Sequence, residues 1–267
     1  MRDHKPQSED RFGRVRRALR SRWITLGYRM FGVDQRRLEI EQSVAYAAER
    51  LWLVRPSRMG RALDELCDTH GSDKGSLVSD KRFPWEPHTY TDAYQFLFGP
   101  IRSRVESVLE VGIGTNDPDA VGTMGVDGRP GASLRVWRDF FPRATVYGAD
   151  IDRNVLFSEE RIVTGYLDQR DASSIRQFLD THGLNSLDVI IDDGLHEFHA
   201  NWTLFETAFP SLRSGGIYVV EDCKRRTLEA FTEALSEYDH DWATVSLLSA
   251  ERTALNDNQL VVIFKNS

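Results

Sequence analysis

From about residue 105 onward, short β-branched apolar runs alternate with longer stretches of helical spacing. The runs are Ser107–Val111, Thr145–Ala149, Arg161–Gly165, Leu187–Ile191, Ile217–Val220, Thr244–Leu248 and Leu260–Phe264. Between them lie apolar positions three and four residues apart at Ser133–Phe141, Ala172–Thr181, Glu197–Leu212 and Arg226–Tyr238. Seven strands separated by helices of this length predict a doubly wound α/β sheet with helices on both faces. The last strand follows a polar loop rather than a helix and is expected to run antiparallel. In such a Rossmann-like sheet the first and fourth of these strands lie side by side, and ligands bind beyond their carboxyl ends.

The N-terminal pattern differs. Phe12, Val15, Leu19, Trp23, Leu26 and Tyr28 recur at helical spacing among arginines, and a second helical stretch covers about Gln35 to Leu53. A short helix is expected from Ser57 to Cys67, and another enters at His88–Tyr94 and runs to Phe98. The pattern divides the chain into a basic helical extension over 1–60 and a sheet domain over 61–267.

Charge sharpens that division. The net charge is −7, yet residues 1–61 hold about fifteen Lys/Arg against about seven Asp/Glu, leaving the rest near −15. An acidic main body lacks the basic surface that phosphate contacts need, so a nucleic-acid partner is not expected. A mean hydropathy of −0.44 and the lack of a long apolar run argue against a membrane span. The opening residues carry no apolar stretch of the secretory kind, and Cys67 and Cys223 stand in no metal or redox spacing, so a reducing cytoplasm fits best. Two amphipathic helices outside the sheet need covering, and a homodimer is the expected means.

The candidate chemistry falls at the strand ends. Glu110-Val-Gly112-Ile-Gly114 follows the first strand, where glycines let a backbone approach a ligand closely. Asp150 ends the second strand, placed for a carboxylate to accept ribose hydroxyls. The spacing from the glycines exceeds the usual twenty or so residues because the glycine-rich loop 117–131 intervenes; loops of that length are often lids. No third glycine is placed to cradle a pyrophosphate, which favours a cofactor without phosphates over NAD. Asp192-Asp193-Gly-Leu-His196 ends the fourth strand and Glu221-Asp222 the fifth. Adjacent carboxylates repel unless something positive sits nearby, and a hard cation held by oxygen ligands meets that need. His196 is placed to take a proton near neutral pH; the bland alternative makes Asp193 a helix cap and His196 a surface residue. His88, Tyr90 and Tyr94 either line a pocket or are core residues with wet hydroxyls.

These residues fall in eight ordered blocks between about Leu63 and Asp222. They are Ser72-Asp-Lys-Gly75, His88-Thr-Tyr90, Leu109-Glu-Val-Gly-Ile-Gly114, Gly131-Ala-Ser-Leu-Arg-Val-Trp137, Tyr147-Gly-Ala-Asp-Ile-Asp152, Asp168-Gln169, Ile191-Asp-Asp-Gly-Leu-His196 and Tyr218-Val-Val-Glu-Asp222. In this the chain resembles the metal-dependent sugar O-methyltransferases of actinobacteria, a class I S-adenosylmethionine-dependent family. The resemblance implies S-adenosylmethionine and a divalent cation, usually Mg2+, as cofactors and a saccharide or other small molecule as acceptor. It implies Asp193 and Asp222, with Glu221, as metal ligands and His196 as the base that deprotonates the acceptor. It places Glu110, Gly112, Gly114, Asp150 and Tyr90 on the cofactor side, with Asp168, Gln169 or Asp171 near the adenine. Family members often carry Ser where this chain has Leu195, which bears on the acceptor side rather than on the metal. A catechol, polyketide or other non-sugar hydroxyl remains open as acceptor, as does a non-catalytic S-adenosylmethionine-binding role.

Overall fold

A computed structural model describes residues 50–54, 60–76, 85, 88–120, 122–247 and 258–266. The helices expected over 11–31 and over most of 35–53 lie outside these residues. The strands are β1 (Leu51–Val54), β2 (Ser107–Val111), β3 (Thr145–Asp150), β4 (Ser158–Glu159), β5 (Ile162–Tyr166), β6 (Leu187–Asp192), β7 (Leu212–Val220), β8 (Asp241–Leu247) and β9 (Gln259–Phe264). The helices are α1 (Arg61–His70), α2 (Thr91–Phe98), α3 (Ala132–Phe140), α4 (Ala172–Thr181), α5 (Phe198–Ala208) and α6 (Arg225–Leu235).

The nine strands among the described residues form one sheet, in the order β1-β8-β9-β7-β6-β2-β3-β5-β4. The seven expected strands are present and two more flank them. One is the two-residue β4, which pairs antiparallel with β5. The other is β1, which pairs in parallel with β8 where a helix was expected to reach Leu53. Helical spacing cannot be told from a strand over four apolar residues, and here tertiary pairing decides. The last strand, β9, runs antiparallel to both neighbours, as expected.

Strand alternation sorts the core into two layers. On one face Val108, Val146, Val189, Val219 and Val262 meet α1, α2 and α3. On the other Leu109, Ile190, Tyr218, Val220 and Val261 meet α4, α5 and α6. Helix α3 is held by Leu134, Val136, Trp137 and Phe140, all essentially buried, each contributing about 1.5–3 kcal/mol by leaving water. Strands β2 and β6 pair directly, so the chain order reverses at their carboxyl ends. A cavity opens there. Among the described residues no helix is long and apolar enough to cross a membrane.

Candidate active site

The cavity is about 630 Å³ and lies beyond the ends of β2, β3, β5, β6 and β7. Its cofactor-side wall begins with the turn after β2. Gly112 (φ 91°) and Gly114 (φ 82°) both take the left-handed region, which a side chain would make costly. Gly112 also has no room: a Cβ there would lie 2.0 Å from the carbonyl oxygen of Asp193. The glycine therefore lets the turn after β2 pass against the turn after β6. Asp150 accepts from the Ile113 amide and from the Asp152 amide, each at 2.9 Å, so its carboxylate is fixed toward the turn. Burial raises its pKa above the ordinary value. The loop 117–131 folds back on this turn through Met124 N to Thr115 O (2.7 Å) and Gly131 N to Ile113 O (2.7 Å). Thr123 and Met124 form part of the cavity wall.

The two acidic pairs are divided by strand geometry, because successive side chains point to opposite sides. Asp192 is turned into the core, where Asn201 Nδ2 (2.9 Å) and Gln169 Nε2 (2.5 Å) donate to it. Burial pushes its pKa up to about 6. Asp193 lines the cavity, with Lys74 Nζ 2.5 Å from Oδ2. Asp222 lines it from the other side and accepts a hydrogen bond from the Tyr90 hydroxyl at 2.5 Å. His196 Nδ1 is 3.7 Å from Asp222 Oδ2. Burial alone would raise the Asp222 carboxyl, but His88, His196 and the Tyr90 bond together hold it below its ordinary value. His196 (φ 57°) and Asp222 (φ 52°) both adopt left-handed backbone, a strain of roughly 1–3 kcal/mol each that clusters at functional sites.

Asp193, His196 and Asp222 can each turn one ligand atom so that all three lie within 4.8 Å of one another. His196 Nδ1 is shielded from solvent and has no hydrogen-bond partner among the described residues. The two carboxylates fit a hard divalent cation such as Mg2+ or Mn2+, with the orphaned imidazole nitrogen of His196 beside them.

Several expected site residues stand elsewhere. Glu221 does not face the cavity: Lys74 and Tyr94 hold its two oxygens, so it is outside the three-residue cluster. Glu110 is fully buried and accepts from Ser133 Oγ (2.8 Å) and Trp137 Nε1 (3.1 Å), which ties β2 to α3 rather than reaching a cofactor. Its pKa is pushed up to about 7 by burial. Tyr90 is also fully buried, and it acts on Asp222 rather than on the cavity. Asp171 is exposed, stands outside the cavity wall and caps α4 by accepting from Ser173 N at 2.9 Å. Asp168 and Gln169 do line the cavity.

Gln169, however, has both ends of its amide engaged. It donates to Asp192 and accepts from Leu195 N at 2.9 Å, clamping the turn that carries Asp193 and His196. Replacing Gln169 with Leu strips one buried carboxylate and one half-buried amide of a partner and is expected to destabilise the fold by about 1–3 kcal/mol. Urea unfolding measures this; an unchanged midpoint would remove the clamp.

Two contributors were not legible beforehand. Lys74 supplies the positive charge that the paired carboxylates demand, in place of the cation alone. Asn258 Nδ2 donates to Thr89 Oγ1 (3.1 Å), which turns its Oδ1 to His88 Nδ1 (3.3 Å). That orients the ring so that His88 Nε2 faces Asp222 Oδ1 at 3.5 Å. Only the unmet charge of Asp192-Asp193 and Glu221-Asp222 hinted at such partners.

The fold and this strand-end site resemble those of class I S-adenosylmethionine-dependent methyltransferases, and comparison with known proteins sharpens the resemblance. No protein-family model matches the chain. It is 39% identical over 198 residues to an 8-demethyl-8-α-L-rhamnosyl tetracenomycin-C 2'-O-methyltransferase of Streptomyces olivaceus, covering 74% of this chain and 46% of the relative. A mycinamicin VI 2''-O-methyltransferase of Micromonospora griseorubida is 37% identical over 135 residues, covering 51% of this chain and 31% of the relative. The solved structure of the MycE methyltransferase of mycinamycin biosynthesis, in complex with Mg and SAH, superposes with a TM-score of 0.54 at 26% identity. That superposition covers 76% of this chain and 54% of MycE. The chain spans less than half the length of the curated relatives it matches.

Proposed function

We propose that this chain transfers the methyl group of S-adenosylmethionine to a sugar hydroxyl of a glycosylated natural product. The observation that carries the reading is that one cavity joins the Gly112–Gly114 turn and Asp150 to Asp193, His196 and Asp222. The relatives' names support a sugar acceptor: two of them are O-methyltransferases of rhamnosyl tetracenomycins.

Gly112 and Gly114 admit the cofactor close to the backbone, Asp150 takes its ribose hydroxyls through lone pairs its two amide bonds leave free, and Asp168 borders the adenine. Asp193 and Asp222 hold the divalent cation. Bound there, such an ion lowers the pKa of a hydroxyl it meets. His196 takes the proton from the acceptor hydroxyl. The oxygen then forms its bond to the methyl carbon as the carbon–sulfur bond breaks, and S-adenosylhomocysteine leaves as a neutral thioether. Alignment of oxygen, carbon and sulfur supplies much of the acceleration. Tyr90 and His88 act through Asp222, fixing its carboxylate.

Calorimetric titration of S-adenosylhomocysteine into EDTA-treated protein, repeated with Mg2+ and with Asp193→Asn, tests both halves of the site. Cofactor binding is expected in every case, with a Mg2+ heat that Asp193→Asn abolishes. A cofactor that binds without any Mg2+ response would discard the cation, and no cofactor binding would overturn the reading. Mass spectrometry with a rhamnosylated tetracenomycin as acceptor then tests transfer itself.

A further inference from the structure

Strands β7, β6 and β2 are neighbours, and their carboxyl ends bring Glu221, Asp193 and Glu110 together. Glu221 and Glu110 are 1% and 0% exposed. Three carboxylates converging out of water are costly without compensation. The compensation comes from another part of the chain. Lys74, 3% exposed, places Nζ 2.5 Å from Asp193 Oδ2 and 3.4 Å from Glu110 Oε1, and pairs with Glu221 Oε2. The ammonium donates to Asp193 and to Glu221, and Glu110 Oε1, which has no hydrogen bond, is its third carboxylate partner as an ion pair. Its position is built rather than incidental. The turn that carries it is tied to the start of α2 by His88 N to Asp73 O (2.6 Å) and Tyr90 N to Lys74 O (3.0 Å).

We propose that Lys74 is a positioning residue that takes the place of a second metal ion, so that the site accepts one divalent cation and not two. This rests on the reading that Asp193 and Asp222 hold a cation. Asp193 belongs to both clusters: Oδ2 is anchored on the ammonium, which orients the carboxylate toward the cavity. Glu221 is withdrawn from the donor set altogether, because Lys74 takes one oxygen and the Tyr94 hydroxyl donates to the other. What faces the cavity is then the two carboxylates of Asp193 and Asp222, a complement for one ion, with His196 beside them. Without the ammonium, Glu110, Glu221 and Asp193 form an all-oxygen cluster beside it that suits another hard cation.

The test is Mn2+ titration of the full chain saturated with S-adenosylhomocysteine, read by the electron paramagnetic resonance signal of free Mn2+. Wild type is expected to bind one Mn2+ and Lys74→Met two. Mn2+ should also raise the melting temperature of Lys74→Met by more than that of wild type. Lys74→Met/Glu221→Gln, which removes both charges, should return to one. One Mn2+ bound by Lys74→Met with wild-type affinity overturns the inference alone. No Mn2+ bound by wild type, with S-adenosylhomocysteine still bound, removes the cation reading and this inference with it. If Lys74→Met does not fold, the paired variant decides. A folded protein with one Mn2+ supports the role, and failure equal to the single variant overturns it.

Discussion

His196→Asn is expected to lower kcat by about 10²–10⁴-fold, the usual contribution of a positioned general base, and to leave affinity for S-adenosylhomocysteine and for Mg2+ unchanged. Asparagine is the informative replacement because residue 196 sits at φ 57°. Asn tolerates left-handed backbone better than most residues, so the variant removes the imidazole without adding strain. The turn stays clamped by Gln169 through Leu195 N. What is lost is a ring nitrogen that is shielded from water, has no hydrogen bond and lies 3.7 Å from Asp222. Turnover and calorimetry on the same preparation separate two roles. A fall in Mg2+ affinity in step with kcat would make His196 a ligand of the ion and not the base. An equal loss of cofactor affinity would remove it from the chemistry.

What could be read in the sequence was what is local along the chain. Gly112, Gly114, Asp150, Asp193, His196 and Asp222 were legible because each follows a short apolar run, and the alternation of strands and helices places all those ends at one edge. Period-two geometry even divides Asp192 from Asp193, one facing the helices and the other the cavity. What is not local follows from packing between distant parts of the chain. Glu221 and Glu110 look like ligands when only their own strands are considered. Their side chains are claimed by Lys74, 147 residues from Glu221 in sequence, and by Trp137 and Ser133 on α3. His88 takes its orientation from Asn258, 170 residues away. Asp171 stands outside the cavity wall for a different reason: it serves as the N-cap of α4. β1 escaped because a four-residue apolar run carries no period of its own.

The same long-range packing changes what the glycine motif means, and Gly112→Ala tests it. Two costs fall on this position. Left-handed backbone costs an alanine about 1–2 kcal/mol. The added methyl must also displace the Asp193 carbonyl oxygen, 2.0 Å from where it would sit, and forced overpacking of this kind costs about 1–3 kcal/mol more. That oxygen is backbone and cannot rotate away, so the turn carrying Asp193 has to move. Gly112→Ala is therefore expected to weaken S-adenosylhomocysteine and Mg2+ binding together. Gly114→Ala is the control, because its φ of 82° carries the same backbone cost. Its Cβ would meet the Met124 sulfur, the far part of a flexible side chain. That variant should lose stability but keep Mg2+ affinity, and Met124→Ala should relieve the contact in the double variant. If Gly112→Ala impaired only cofactor binding, the glycine would serve ligand approach alone, and the coupling between the turns after β2 and β6 would have no part in shaping the metal site.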